Sequence, residues 1–149
     1  MKDTLMIEVV RKTIKVDCAV EEAFRIFTAD AVSWWPVESH SIYETVREIV
    51  FEERAGGEVY EVSASGEKGY WATVLEWNPP GRLVLAWNIL NADGSPTEVD
   101  VRFLPEGEGT RVELEHRGWE GLGEGGATKR DNYDTGWDFV LGRYVDRIS

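Results

Sequence analysis

The apolar residues of this chain follow two periods, and the switch between them marks its elements. In MIEVVRKTIKVD, Val10, Ile14 and Val16 alternate with charged neighbours, the two-residue period of a half-buried strand. In AVEEAFRIFT the period lengthens: Val20, Ala23, Phe24 and Phe27 fall at i, i+3, i+4 and i+7, one face of a short helix. Asp30 is placed to cap a second short helix, AVSWW, which Pro36 ends because the residue before a proline is pushed out of helical geometry.

From about residue 42 the two-residue period returns and persists, punctuated by Arg54-Ala55-Gly56-Gly57, Asn78-Pro79-Pro80-Gly81 and Pro105-Glu106-Gly107-Glu108-Gly109, three turn signals that define three hairpins. In the middle hairpin, alternation places Trp71, Thr73, Leu75 and Trp77 on one face with Leu83, Leu85, Trp87 and Ile89, leaving Glu76 and Asn88 on the other. In the last, Val99, Val101 and Phe103 meet Val112, Leu114 and His116, opposite Asp100, Arg102, Glu113 and Glu115. The first hairpin admits two registers. Either Ile49, Phe51, Tyr60 and Val62 face inward, or Val46, Val50, Val59 and Glu61 do, because a slip of one residue exchanges the faces.

After the glycine-rich HRGWEGLGEGG, the segment to Ile148 resumes the helical period, with Thr128 and Asp131 at a capping-box spacing. Tyr133, Trp137, Val140, Leu141, Tyr144, Val145 and Ile148 share one stripe, with Asp134, Asp138, Arg143, Asp146 and Arg147 elsewhere. Gly136 sits at the edge of the stripe. A glycine there costs about 1 kcal/mol in helix propensity, so either another group approaches closely or the gap leaves room for a ligand; close approach is the simpler expectation. A one-faced antiparallel sheet of about seven strands needs a cover, and only the closing helix is long enough. The expected architecture is α+β: a curved sheet wrapped around a long C-terminal helix, with two short helices between the first and second strands, in one domain spanning residues 1–149.

Composition sharpens this picture. With 16 Lys and Arg against 28 Asp and Glu, the formal net charge is -12, a surface that repels phosphate backbones and anionic lipid. Nucleic acid and membranes are therefore not the expected partners. Neither a secretory nor a spanning segment opens the chain, and its single cysteine, Cys18, forms no disulfide framework; a cytoplasmic location and a packed, unreactive Cys18 follow as expectations. Seven Trp are unusual for 149 residues. Each can bury on the order of 200 Å², so most must be inside.

Several segments together resemble a known family: VDCAVEEAFRIFT, WWP followed by HSI, FEERAGGEVYE, GYWATVLEWNPPGRLVLAW, RVELEHRGWE and GWDFVLGRYV. They are similar to the START-like helix-grip superfamily and, within it, to the bacterial branch of small proteins related to the activator of the heat-shock-protein-90 ATPase. The similarity runs from about Val9 to Ile148. It implies the helix-grip fold, while the superfamily's members range from carriers of hydrophobic ligands to cyclases, receptors and interaction proteins, so only the site can assign a role.

His116 continues the inward face of Val112 and Leu114, where an imidazole orients a ligand carbonyl or acts as acid or base, or is a core histidine satisfied by its neighbours. His40 follows the WWP turn, at the place that the resemblance makes the pocket mouth, where it either contacts a ligand or caps local backbone groups. The two histidines lie on separate elements without ligand spacing, so no metal is expected, and no cofactor motif is present. No Gly-x-Ser-x-Gly elbow supports a triad, and the glycine-rich segment lacks the Lys-Ser/Thr of a phosphate loop and carries Glu120 and Glu124; a lid or hinge suits it better. Trp119 either closes over a ligand or, more simply, anchors that segment.

These residues point first to a protein that binds a small apolar or aromatic molecule between sheet and helix. Trp71, Trp87 and Trp137 are expected as stacking walls, His116 and Tyr133 as orienting groups, and Trp35 and His40 as the mouth. A cyclase or hydrolase using His116 with Glu61 or Tyr133 is the alternative. An interaction protein like the chaperone-ATPase activator is another, with a homodimer or a protein partner.

Overall fold

The structure, a computed structural model, describes residues 7–88 and 96–149. Strand β1 (Val10–Val16) leads into helix α1 (Val20–Thr28) and a 3-10 turn at Ala31–Ser33. The chain then descends through β2 (Val46–Phe51), β3 (Glu58–Ser63), β4 (Lys68–Asn78), β5 (Arg82–Trp87), β6 (Thr97–Glu106) and β7 (Gly109–Arg117). A second 3-10 turn, Trp119–Gly125, delivers it into α2 (Gly126–Ile148). The strands form one curled antiparallel sheet in the order β1-β7-β6-β5-β4-β3-β2. Helix α1 carries the chain from one edge to the other, and the meander brings it back beside β1.

Helix α2 is gripped in the hollow of the sheet. Trp137, Val140, Leu141 and Tyr144 are buried, and Tyr133, Val145 and Ile148 pack against the core, the stripe that the helical period marks out. Polar ties fix its position. The Tyr144 hydroxyl donates to the Ala23 carbonyl at 2.7 Å, Lys12 from β1 reaches both Asp134 and Asp138 at 2.9 Å, and Arg143 and Arg147 reach Glu38 and Asp30 at 2.8 Å. Beneath it, Phe24 and Phe27 meet Phe103 edge-on, and Tyr144 packs edge-on against Phe27 and Trp34.

The last hairpin has the expected register, with Val99 opposite His116, Val101 opposite Leu114 and Phe103 opposite Val112. On its outer face Asp100 accepts two hydrogen bonds from Arg82 and one from Arg117. The first hairpin takes one strand from each expected set: Ile49 pairs with Glu61 and Phe51 with Val59, and these residues face inward.

The middle hairpin departs from strict alternation. Trp71 is the extra residue of a bulge against β3, and Leu75 is the extra residue of another against β5. Each bulge shifts the phase by one, so between them Ala72 and Val74 face the core. Thr73 faces outward, where its hydroxyl bonds that of Tyr70, and Leu75 is 49% exposed. The ends of the strand keep the expected sides, while the expected inward positions of Thr73 and Leu75 are corrected. Ile89, expected on the same face, lies outside the described residues.

Three local expectations also change. AVSWW forms only a 3-10 turn, because Trp34 and Trp35 turn inward and their indoles donate to the carbonyls of Ile26 and His40 at 2.8 and 2.7 Å; Asp30 makes no side-chain cap. Helix α2 begins at Gly126, so Thr128 and Asp131 lie inside it rather than at its cap. Its first position needs a glycine, because a Cβ at Gly126 would stand 2.3 Å from the Trp119 carbonyl oxygen. Among the described residues no helix is long and apolar enough to cross a membrane.

Candidate functional site

Between α2 and the loop that follows Trp35 lies a cavity of about 230 Å³. Trp35, Trp87, Trp137 and Val140 make its apolar walls, and Ser39, His40, Ser41, Asn132 and Tyr133 supply polar groups. Helical spacing explains the α2 side: Tyr133, Gly136, Trp137 and Val140 fall on one face within two turns. The opposite side is a short loop held by its own bonds. Trp35 donates its indole N–H to the His40 carbonyl, and the Ser41 hydroxyl shares its one proton between the carbonyls of Val37 and Tyr43, at 2.5 and 2.8 Å.

Gly136 decides whether the space exists. A Cβ there would find nothing nearer than His40 Nε2, at 4.0 Å. The gap, not a close approach, is therefore what the glycine provides, contrary to the simpler expectation. An enclosed dry void of 230 Å³ would cost about 5–6 kcal/mol at ~24 cal/mol per Å³. The polar rim removes that cost by admitting water or a ligand.

Trp87 and Tyr133 are joined at the wall. The Trp87 indole N–H donates to Tyr133 Oη at 3.0 Å, and among the described residues this hydroxyl has no acceptor for its own proton. Burial pushes the Tyr133 phenol upward, against the opposing pull of the Trp87 bond, so the hydroxyl keeps its proton at neutral pH. His40 bonds Ser39 Oγ through Nδ1 at 2.7 Å and leans on Phe139, with centroids 5.4 Å apart, leaving Nε2 on the Gly136 side.

Two expected site residues do not reach the cavity. Trp71 is fully buried behind Trp35 and Trp87, at 4.8 and 5.9 Å between centroids, with its indole drawn to Glu61 at 2.6 Å. His116 is also fully buried. Its Nε2 bonds Thr97 Oγ1 at 2.7 Å, its Nδ1 accepts from Trp137 Nε1 at 3.0 Å, and Trp119 lies over it at 4.2 Å. Burial, helped by the Arg117 charge, lowers its pKa to about 3, so it is neutral and has no nitrogen to offer a ligand. Its geometry is that of a satisfied core histidine rather than an acid or base.

Glu61, the assistant considered for His116, is committed elsewhere. Its buried carboxylate accepts from the backbone N–H groups of Ile42 and Tyr43 at 2.7 and 2.8 Å as well as from Trp71. It thereby staples the chain just beyond His40 and Ser41 to the sheet. Trp119 is an anchor: fully buried, it donates to the His116 carbonyl at 2.9 Å, and the segment expected as a lid or hinge is a 3-10 turn. Cys18 is half-buried, and burial raises its thiol pKa, which suits a packed residue. Among the described residues no group of three or more His, Cys, Asp or Glu could hold a metal.

Sequence reasoning missed Ser39, Ser41, Asn132 and Val140 as cavity residues. The available signal was the Ser39-His40-Ser41 triplet, two residues beyond Trp34-Trp35-Pro36, three hydrogen-bonding side chains close to an aromatic pair.

Comparison with known proteins agrees with this architecture. Among solved structures, one described as an anthrahydroquino-gama-pyrone synthase, Txn09, complexed with SUM, is 31% identical, with a TM-score of 0.65 and coverage of 96% of this chain and 98% of that one. The self-sacrificing resistance protein CalC from Micromonospora echinospora is 26% identical over 94% of this chain and 93% of its own, at TM-score 0.72. The Aha1 dimer from Colwellia psychrerythraea shares the fold at TM-score 0.68 with 14% identity, covering 95% and 96% of the two chains. Comparison with curated protein sequences gives no match. The family described as activator of Hsp90 ATPase homolog 1-like protein matches residues 17–146. Most of the chain, including the strands and helix that build the cavity, carries that signature, and the protein belongs to this family.

Proposed function

We propose that this protein binds a flat aromatic molecule bearing a carbonyl or hydroxyl group, in the cavity between α2 and the loop after Trp35. The observation that carries the proposal is the cavity's composition: three indoles around about 230 Å³, with the Tyr133 hydroxyl beside one of them and a polar rim on one side. Indole faces favour planar guests, and a few placed polar atoms set their orientation. The volume falls below the ~300–1,000 Å³ of drug-sized pockets, so the guest is compact or leaves one end at the mouth. Full-length similarity to a protein described as an anthrahydroquino-gama-pyrone synthase, a name that denotes a fused aromatic product, supports the same class of guest. As part of this proposal the chain acts as one domain in the cytoplasm, with Trp35, His40, Trp87, Tyr133 and Trp137 contacting the guest and Trp71 and His116 bracing those contacts from behind.

Titration with a panel of one- to three-ring aryl ketones and phenols, read by tryptophan fluorescence, tests it. Saturable quenching that disappears in Gly136→Leu is expected. A panel that leaves the emission unchanged would remove the proposal.

A further inference from the structure

We infer that the same cavity carries out proton transfer on a bound aryl ketone, with His40 as the base and Tyr133 as the hydrogen-bond donor to the carbonyl oxygen. This activity rests on the binding proposed above. Its warrant is the unequal state of the two histidines. Both ring nitrogens of His116 are bonded inside the core. His40 has only Nδ1 engaged, by Ser39 Oγ at 2.7 Å, and its Nε2 stands on the cavity side, 4.0 Å from where a Cβ of Gly136 would be. A hydroxyl either donates or accepts, so Ser39 serves both tautomers of the ring. When it accepts the Nδ1 proton, Nε2 presents a lone pair to the cavity, and imidazole is the side chain suited to take and return a proton near neutral pH.

Tyr133 is placed to receive the charge that such a step creates. It lies three residues before Gly136 on α2, and side chains at that spacing are neighbours on a helix surface, about 5–6 Å apart at Cβ. His40 and Tyr133 thus line one cavity from adjoining positions. The Trp87 indole already donates to Tyr133 Oη, polarising the O–H that remains free among the described residues. The nearby Glu38 carboxylate is paired with Arg143 at 2.8 Å.

In the step, His40 Nε2 takes a proton from the carbon next to the carbonyl. The C–H electron pair becomes the C=C bond, and the carbonyl oxygen takes the negative charge, held by the Tyr133 hydrogen bond. Return of the proton from the imidazolium to oxygen gives the enol, and return to carbon gives the ketone. Nothing is oxidised or reduced, and no co-reactant is consumed.

The experiment incubates the protein with α-tetralone and related one- to three-ring aryl ketones in D2O. Loss of the α-proton NMR signal is followed while tryptophan quenching reports binding of the same compounds. At least tenfold faster exchange than in buffer is expected. His40→Gln and Tyr133→Phe should each lose at least tenfold of the exchange rate measured at a ketone concentration that saturates the quenching of that variant. Binding without exchange above buffer, or full exchange in His40→Gln, overturns the proton-transfer inference and leaves the binding proposal intact. No quenching by any ketone removes both.

Discussion

At the residue scale, His116 shows how an inward-facing position differs from a working one. Alternation along β7 places it correctly, but its sealing comes from Trp119, Trp137 and Thr97, which lie three, twenty-one and nineteen positions away and belong to no pattern within the strand. The same burial makes a pH prediction. The folded pKa, about 3, lies below the ordinary value of 6.5, so the unfolded chain binds the proton more readily. The neutral ring's contribution to stability is therefore complete above pH 6.5 and is lost as pH falls toward 3, at about 1.4 kcal/mol per unit. Urea unfolding at pH 7 and pH 5 should show a fall of roughly 2 kcal/mol, and His116→Phe, if folded, should abolish most of this difference. Glu61 makes a second prediction. Glu61→Ala strands two backbone N–H groups and the Trp71 indole and should cost about 2–4 kcal/mol in the same assay.

At the element scale, the two bulges of β4 decide which residues meet the core. No periodicity argument finds them, because each is a mismatch between partner strands rather than a property of one strand. The inverted middle of β4 is open to test: Leu75→Lys should change stability by no more than about 0.5 kcal/mol. Val74→Lys, one residue away, should cost about 3–5 kcal/mol by burying an unpaired charge, with both read from chemical denaturation. On α2, Gly136→Ala meets open space and should stabilise the protein by about 0.5–1 kcal/mol through helix propensity. A stabilising effect there would confirm that the glycine is kept at a cost in stability.

At the scale of the whole molecule, the cavity links stability to binding. A guest at about one hundred times its Kd adds ~2.7 kcal/mol, which for a domain of this size raises Tm by roughly 5–10 °C. Gly136→Leu, with its side chain directed into the cavity, should melt without any such rise. Much of the architecture was legible beforehand: the strand and helix periods, the three turns, the one-sided β6–β7 hairpin and the stripe on α2 are local patterns, set by the need to bury one face of each element. The resemblance carried by segments such as GYWATVLEWNPPGRLVLAW implied the same fold independently. What lay beyond sequence was the division of labour among inward residues. Trp71 and Trp87 are both large, apolar and inward, yet one braces and the other lines the cavity; His116 and His40 differ in the same way. Periodicity fixes the side of an element on which a residue stands. Depth, hydrogen-bond partners and the empty space above Gly136 arise from packing several elements against one another, and only the tertiary structure decided them.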